Sequence, residues 1–470
     1  MTLQPRLMRI QLRPNNFSRR TLLRTAVGAA GCAAVSAFIP TRGAAAAVEP
    51  VAEWLLRAAR IVQKIKPPVI PDVSYTAPLQ KGDSAKRNNA VLQQAVYHVG
   101  EGGGGRVVVP KGEWEIAGPL RLTSNIDLHL QEGSTLRFVD DKSYHLPPVL
   151  TRWEGTDMIG YSPYVYAYQA SNVAITGSGT LDGNGSSRSS SWRDRLEGED
   201  ITRLREMGRN LTPIKDRVFG EGHSLRPSFI QFYGCKSVKV EGIRIEDVPF
   251  WSLHLLYSSD ITVRHVSINS FASNNDGIDI DSSSRVLVEH CRFETKDDCI
   301  AVKSGRDADG RAVGRPSEDI VIRDCHMIHT DSSGVAIGSE MSGGVRNVYI
   351  IRCAMEQVDS SLTVKSNLDR GGVVENIRLW NMTINNCSHV LRITTAYHSY
   401  SGGNFPSALR DIALDDIRCN KADLAFTIVG SPEAPIGPVS LRGITVQHAT
   451  EVLLRENAPD ITMSDVVVNN

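Results

Sequence analysis

The sequence repeats one short pattern along most of its length. A turn-forming residue such as Asn, Asp or Ser precedes Val or Ile, and alternating apolar residues follow, as in "SNVAITG", "KSVKVEG", "SDITVRH", "EDIVIRD" and "RNVYIIR". The repeats recur at irregular intervals of roughly 20 to 35 residues, which is typical of a solenoid with loop insertions. No leucine consensus and no helical spacing of apolar residues accompany them. The pattern predicts an all-β chain folded as a right-handed parallel β-helix.

Other segments complete the predicted domain organisation. Residues 88–100, "NNAVLQQAVYHVG", have the pattern of an amphipathic helix. We expect this helix to cap the N-terminal end of the β-helix, whose strand edges need a cover. Residues 48–77 are interpreted as an N-terminal arm with a short helix within 48–66. The polar residues 183–222 predict a long loop or short helices inserted over one face. A single β-helical domain is therefore predicted over 78–470.

The N-terminus has the features of an export signal. Residues 1–47 contain the pair Arg19 and Arg20, then an apolar, alanine-rich run, then small residues suited to cleavage. This order is typical of a signal peptide, and the paired arginines indicate the twin-arginine route. We therefore predict a periplasmic or secreted protein. A lipid anchor at Cys32 is the alternative, and no later segment is apolar enough to predict a membrane span.

Charge excludes a class of partners. Residues 1–46 hold seven arginines and no acidic residue, which leaves 45 basic and 52 acidic residues in the rest of the chain. A body with a net charge of −7 does not attract nucleic acid by bulk charge. An anionic ligand would need a local basic cluster. We expect no nucleic-acid partner, and we expect a monomer.

Cysteine usage argues against a metal site. The chain has eight cysteines, and the seven outside the signal form no CxxC pair, so neither zinc nor another cofactor is predicted. Cys291, Cys325 and Cys353 follow similar apolar strand patterns and are interpreted as small buried residues. One disulfide is the alternative.

Aligning four strands by their apolar residues brings distant acids together. The strands are "DGIDIDS", "DCIAVKS", "SGVAIGS" and "SLTVKS". This alignment places Asp276 over Asp298 one coil later, and it places Asp281 over Lys303. Because coils stack at about 4.8 Å, Asp276, Asp297 and Asp298 should form one cluster.

Clustered carboxyls are useful when one holds a proton while another stays ionised. Glycoside hydrolysis needs that combination of general acid and general base. A structural aspartate network and a calcium site are the alternatives.

Four stretches carry a resemblance to a known family. They are "NNDGIDID", "KDDCIAVKSG", "SGVAIGSEMSGGVRNV" and "VKSNLDRGGVVENI". In order and spacing they resemble the polygalacturonase family, glycoside hydrolase family 28, over about residues 78 to 400. The resemblance implies a right-handed β-helix that hydrolyses pectin-like polysaccharide with inversion. It implies that Asp297 is the general acid, and that Asp276 and Asp298 activate water.

The substrate-binding residues depart from the family pattern. Ser332 stands where the family has a histidine, and Thr363 stands where it has an arginine, whereas Lys365 is retained. A branched or different glycan, such as rhamnogalacturonan or xylogalacturonan, is therefore an alternative substrate. The candidate substrate-binding residues are Lys365, Lys303, Arg370 and Tyr397. Arg370 is considered as a replacement guanidinium, and Trp251 and His254 line the cleft or lie packed in the core.

Two other functions stay open at this point. A β-helical lyase would bind calcium at the acidic cluster and use Lys303 or Lys365 as the base. A carbohydrate-binding protein without turnover is the other alternative, although three mutually repelling carboxylates serve no purpose in it.

Overall fold

Stacked parallel strands form the body of the molecule. The computed structural model describes residues 49–186, 192, 196–398 and 400–469. Within these residues the strands pair in parallel with strands of the preceding and following coils, so the main sheet winds as a continuous β-helix. The predicted all-β, right-handed parallel β-helix is confirmed. The predicted export signal, residues 1–47, lies outside the described residues.

The strands fall on three sheets. Sheet 1 contains Leu120–Leu122, Val165–Tyr168, Ile230–Tyr233, Leu253–Leu256, Ile278–Asp281, Ile300–Lys303 and Ser333–Gly338. Sheet 2 contains Ser74–Thr76, Gly105–Val109, Ile126–Leu130, Ser171–Gly177, Lys236–Glu241, Ser259–Arg264, Ser284–Glu289, Ser317–Arg323, Val345–Ile351 and Ala408–Leu409. Sheet 3 contains Gly112–Ile116, Ser134–Phe138, Thr180–Asp182, Arg244–Glu246, Ser267–Ser270, Arg292–Thr295 and His326–His329. In the last coils single strands turn the corners between sheets: Ala354–Lys365, Val373–Thr394, Ile412–Val429, Val439–Glu456 and Ile461–Val468.

The repeated Asn or Asp has a conformational cause. In nine successive coils the residue before the first apolar residue of sheet 2 adopts a left-handed conformation, with φ between 53° and 62°. Asn and Asp tolerate this conformation better than other residues with a side chain. Their side chains also bond from coil to coil, as from Asn172 Nδ2 to Asn125 Oδ1 at 2.9 Å. The nine residues are Asn125, Asn172, Ser237, Asp260, Arg285, Asp319, Asn347, Asn376 and Asp411.

Columns of apolar side chains fill the interior. Ile278 pairs with Ile300, Ile300 pairs with Val335, and Val335 pairs with Leu362, as the alignment predicts. All four side chains are fully buried. Burial of one such side chain contributes roughly 1.5 to 3 kcal/mol, so the columns strongly favour this register over a shifted one.

The cysteines also lie in the core. Cys291, Cys325 and Cys353 are buried, which confirms their interpretation. The seven cysteines from Cys235 to Cys419 are all free thiols, so the structure forms no disulfide within the described residues.

Two helices cover different parts of the β-helix. Helix α1 (Val51–Lys64) packs Trp54 and Ile61 against outward-facing apolar residues of sheet 2. Helix α2 (Ala85–Glu101) buries Leu92 and Val96 against the first coils. Ser84 Oγ caps α2 by accepting a hydrogen bond from the backbone N–H of Arg87. The predicted capping helix is confirmed.

The predicted insertion is partly helical. Helix α3 (Leu196–Arg209) and a 3₁₀ turn (Ile214–Asp216) lie within residues 183–222. Nearby, the antiparallel hairpin Val149–Trp153 and Thr156–Gly160 is extended by Val218–Phe219. The remaining elements are the 3₁₀ helix Lys142–His145 and helix α4 (Asp307–Val313).

No helix in the described part of the chain combines the length and the apolar character needed to cross a bilayer.

The cap helix generates a stability prediction. Leu92→Ala should destabilise the protein by about 2 to 5 kcal/mol, because it leaves a cavity beneath α2. Tyr97→Ala in the same helix removes a side chain that is 44% exposed and should cost no more than about 0.5 kcal/mol. Urea denaturation followed by circular dichroism measures both variants. Equal losses would contradict the role of α2 as a packed cap.

Candidate active site

The stacking of sheet 1 brings three carboxyl groups together. Asp276 precedes the strand Ile278–Asp281, and Asp297 and Asp298 precede the strand Ile300–Lys303. The backbone N–H of Gly277 donates to the carbonyl of Asp298 at 3.0 Å, which holds the two strand entries side by side. One carboxyl oxygen from each aspartate lies within 4.8 Å of the others. The structure therefore assembles the predicted cluster.

Asp298 is held as an anion. Its Oδ2 lies 2.8 Å from Lys365 Nζ, and its Oδ1 accepts hydrogen bonds from Ser332 Oγ at 2.6 Å and Ser333 N at 3.1 Å. Burial opposes ionisation, but the ammonium groups of Lys365 and Lys303 outweigh it and lower the pKa of Asp298. Ser332, at the position of the family histidine, thus supplies a hydrogen bond to this carboxylate.

Asp297 has the opposite tendency. Burial and the neighbouring charge of Asp298 raise its pKa. Its Oδ1 accepts from the backbone N–H of Asp298 at 2.9 Å, and the Asp297 carbonyl accepts from Thr295 Oγ1 and Thr330 Oγ1. These bonds fix the turn, and Asp297 is the least buried of the three acids. A carboxyl that keeps its proton at a partly open position suits a general acid.

Asp276 differs from its sequence-based expectation. Burial, together with the charges of Asp297 and Asp298, raises its pKa to about 8, although Lys303 opposes this. The role in water activation that the resemblance implies requires an ionised Asp276. Depth of burial is the cause of the difference, because only 3% of the residue is exposed.

Two lysines provide the positive charge of the site. Lys303 Nζ lies 3.4 Å from Asp276 Oδ2, 3.6 Å from Asp279 Oδ1 and 3.3 Å from Glu340 Oε2. Lys365 Nζ pairs with Asp298 and lies 5.4 Å from the centre of the Tyr397 ring. Burial disfavours both ammonium groups, but the surrounding acids outweigh burial and raise the pKa of each lysine. Both lysines therefore stay protonated and are poor bases.

The sequence and the fold both match known proteins. Residues 105–460 match the profile of Glycosyl hydrolases family 28. The chain belongs to glycoside hydrolase family 28. It is therefore a glycoside hydrolase with the right-handed β-helix of that family.

Three named relatives each align with most of the length of this chain. A crystal structure of a hyperthermoactive exopolygalacturonase from Thermotoga maritima is 36% identical, with a TM-score of 0.82, and the match covers 88% of this chain and 96% of that one. A probable polygalacturonase of Vitis vinifera is 28% identical over 384 residues, which is 79% of this chain and 73% of the relative. An endo-polygalacturonase of Pectobacterium carotovorum is 27% identical over 356 residues, 74% of this chain and 81% of the relative.

The guanidinium of Arg370 is buried and paired, so it is not available to a substrate in this family 28 site. Its side chain is 1% exposed. It pairs with Asp307 in helix α4, and its Nε donates to the carbonyl of Ser339 at 2.7 Å. The geometry corrects the expectation that Arg370 replaces the family arginine at the sugar: the residue forms an internal ion pair.

The other cleft candidates also lie in the protein interior. His254 is fully buried between Gln231 and Asp281. Trp251 is buried against Phe250, and its ring lies 4.6 Å below Lys303 Nζ. Both residues support the site from beneath.

Two acids of the site escaped sequence reasoning. Asp279 is fully buried, and the alternation "DGIDID" places it on the outward face of its strand together with Asp281. Glu340 lies between Lys303 and Arg306, whose Nη2 is 3.3 Å from Glu340 Oε1. Despite burial, Lys303 and Arg306 hold the pKa of Glu340 far below its usual value. No sequence spacing indicated that Glu340 faces these cations.

The donor set does not fit a metal ion well. Three carboxylates suit calcium, but Lys365 and Lys303 already lie within 2.8 and 3.4 Å of Asp298 and Asp276. A cation there would face two ammonium groups, so we assign no metal to this cluster.

The ion pair between Lys365 and Asp298 generates a pH prediction. Lys365→Met removes the cation that lowers the pKa of Asp298, so Asp298 should protonate at a higher pH. The acidic limb of the kcat/KM profile should therefore move to higher pH. The matched control is Lys421→Met, at an exposed position, which should leave the limb in place. An unmoved limb in Lys365→Met would show that Asp298 does not control activity.

Proposed function

We propose that the chain hydrolyses glycosidic bonds of a galacturonan-type polysaccharide, with Asp297 as general acid and Asp298 and Asp276 as the groups that activate water. The observation that carries the proposal is the unequal contacts of two adjacent acids: Asp298 Oδ2 lies 2.8 Å from Lys365 Nζ, whereas Asp297 Oδ1 accepts a backbone N–H at 2.9 Å. Asp297 tends to keep its proton, and Asp298 tends to lose it. Such a pair is what acid–base hydrolysis of a sugar acetal requires.

The proposed step balances its protons. Asp297 donates its proton to the glycosidic oxygen as the bond to the anomeric carbon breaks. A water attacks that carbon, and Asp298 accepts the water proton with Asp276 alongside. After the step Asp297 has lost one proton and Asp298 has gained one. After product release this proton returns to Asp297 through solvent. Because neither lysine gives up a proton, β-elimination with a lysine base is disfavoured.

Inversion is proposed from family resemblance. Inverting glycosidases usually separate their carboxyls by about 6.5 to 9.5 Å, so that a water fits between acid and base, whereas retaining ones separate them by about 5 to 5.5 Å. Retention through an Asp298 nucleophile is the second candidate, because its first step needs no water between Asp297 and Asp298.

Substrate choice is proposed from charge and from the named relatives. Lys365 Nζ lies 5.4 Å from the centre of the Tyr397 ring, and we propose that these two side chains contact the carboxylate and the ring of a uronate. Thr363 Oγ1 is bonded to Ser333 Oγ at 2.9 Å, so the arginine fork of the family is absent from that position. The first relatives are named polygalacturonases. An endo-xylogalacturonan hydrolase of Aspergillus tubingensis is 24% identical to this chain, so a branched substrate is the alternative proposal.

We further propose that cleavage proceeds from a chain end. Helix α3 packs Leu204 in a cluster with Trp251, directly below Lys303. Arg205 of α3 pairs with Glu154 at 2.6 Å, and Glu154 pairs with Arg306 at 3.1 Å. The inserted helix thus stands near the acidic cluster, and we propose that it obstructs a continuing polymer. The 36% identical Thermotoga protein is named an exopolygalacturonase.

Export belongs to the same proposal. The paired Arg19 and Arg20 and the small residues at the end of residues 1–47 support export by the twin-arginine route. A polymeric pectin-like substrate would lie outside the cytoplasm.

The proposed role of Asp297 as general acid can be tested by replacing its carboxyl group with an amide. Asp297→Asn should lower kcat on polygalacturonate by roughly 100- to 10,000-fold, because the leaving oxygen loses its proton donor. Asp331→Asn is the matched control, since its side chain is 66% exposed near the site and should change kcat by no more than about twofold. Reducing-sugar release and circular dichroism measure activity and folding. Near-normal turnover in Asp297→Asn would refute the role of Asp297.

Early digestion of polygalacturonate, followed by proton NMR, tests stereochemistry and the mode of attack. The proposal predicts a monosaccharide as the first product, released as the anomer opposite to the substrate linkage. A product with the same anomer would establish the retaining candidate. Oligosaccharides of mixed length at the start would contradict attack at a chain end.

A further inference from the structure

Asp279 is a buried acid that the proposed mechanism leaves without a role. It occupies an outward-facing position of the strand Ile278–Asp281, and it is fully buried. On the neighbouring coils its backbone partners are His254 and Ala301. The small side chain of Ala301 leaves space above Asp279, into which Lys303 extends.

The surroundings of Asp279 lack hydrogen-bond donors. Within the described residues neither of its carboxyl oxygens has a hydrogen-bond partner. Lys303 Nζ approaches Oδ1 only to 3.6 Å. The same ammonium group also faces Asp276 and Glu340. Even with Arg306, which pairs with Glu340, two cations face three buried carboxylates, and an unpaired buried charge is strongly unfavourable. A bound proton removes the excess charge.

We propose that Asp279 is a positioning residue that carries a proton and donates a hydrogen bond to the carboxylate of Asp276, which keeps Asp276 ionised and oriented toward the attacking water. The inference rests on the proposed function, since it assigns a task to Asp279 within that same reaction.

The charged groups around the pair agree with this assignment. Burial and the charge of Asp276 raise the pKa of Asp279 well above its usual value, against the effect of Lys303. Asp281, on the same strand, does not hold the proton, because Arg152 and His254 outweigh burial and lower its pKa. The other groups facing the pair are Asp297, Asp298, Lys365 and Glu340.

The proposed hydrogen bond from Asp279 explains how Asp276 can act as a base although burial raises its pKa. Desolvation alone favours the neutral form of Asp276, which cannot act as a base. A donor aimed at its carboxylate favours the ionised form instead. One proton shared by the two residues leaves a single negative charge, which Lys303 balances at 3.4 Å.

Two substitutions of Asp279 distinguish a role as hydrogen-bond donor from a role in packing alone. Asp279→Leu removes the donor and should lower kcat by about 10- to 100-fold with little change in KM. It should also move the acidic limb of the kcat profile to higher pH, because Asp276 then protonates more easily. Asp279→Asn retains an N–H donor of the same shape and should recover at least about tenfold of that loss, with the limb back near its wild-type position.

The result that overturns the proposal is equal behaviour of the two variants, whether both resemble the wild type or both are impaired. Infrared difference spectra near neutral pH give a second measurement that does not depend on turnover. One protonated-carboxyl band should be lost in Asp279→Asn and kept in Asp276→Asn. Retention of that band in Asp279→Asn overturns the proposal even if Asp279→Leu fails to fold. Because Asp297→Asn tests hydrolysis itself, the infrared result distinguishes failure of this inference from failure of the proposed function.

Discussion

Parallel pairing between the strands Ile278–Asp281 and Ile300–Lys303 is the constraint on which the site depends. Ile278 lies opposite Ile300 in the core, so the residues just before each strand also lie side by side. A shift of the register by one residue would turn each outward acid toward the apolar interior. The packing of Val, Ile and Leu columns therefore fixes the position of polar groups that never touch the core. Stability and site geometry have one common origin in this fold.

Electrostatics then distinguishes aspartates that are chemically identical. Lys365 contacts Asp298 directly and keeps it ionised. Among the described residues no cation lies that close to Asp297, and the neighbouring charge of Asp298 raises its pKa. Lys303 is shared among Asp276, Asp279 and Glu340. The distribution of two ammonium groups among several buried carboxyls thus decides which acid holds a proton. Serine at position 332 fits this scheme, because a short hydrogen bond supports the anionic form of Asp298.

Much of this arrangement could be predicted from the sequence, because a β-helix converts spacing along the chain into stacking in space. The repeated Asn or Asp marked the left-handed turn, and alternating apolar residues marked the register that joins Asp276 to Asp298. What could not be predicted depends on partners outside the repeats. The partner of Arg370 is Asp307, which lies 63 residues away in helix α4.

Depth of burial was equally invisible in the sequence. The sequence places Asp276 in the cluster, but it does not show that only 3% of the residue is exposed. Its pKa and the protonation of Asp279 follow from that desolvation. The alternation of the strand places Asp279 on the outward face, but it carries no information on how far water is excluded from that face.

The most direct test is a crystal structure of the Asp297→Asn variant with a bound galacturonate oligosaccharide. The predicted result is a scissile glycosidic oxygen within hydrogen-bond distance of residue 297, with a water held by Asp298 and Asp276 beneath the anomeric carbon. A substrate whose scissile bond lies away from these three side chains would contradict the claim that stacked coils assemble the catalytic site.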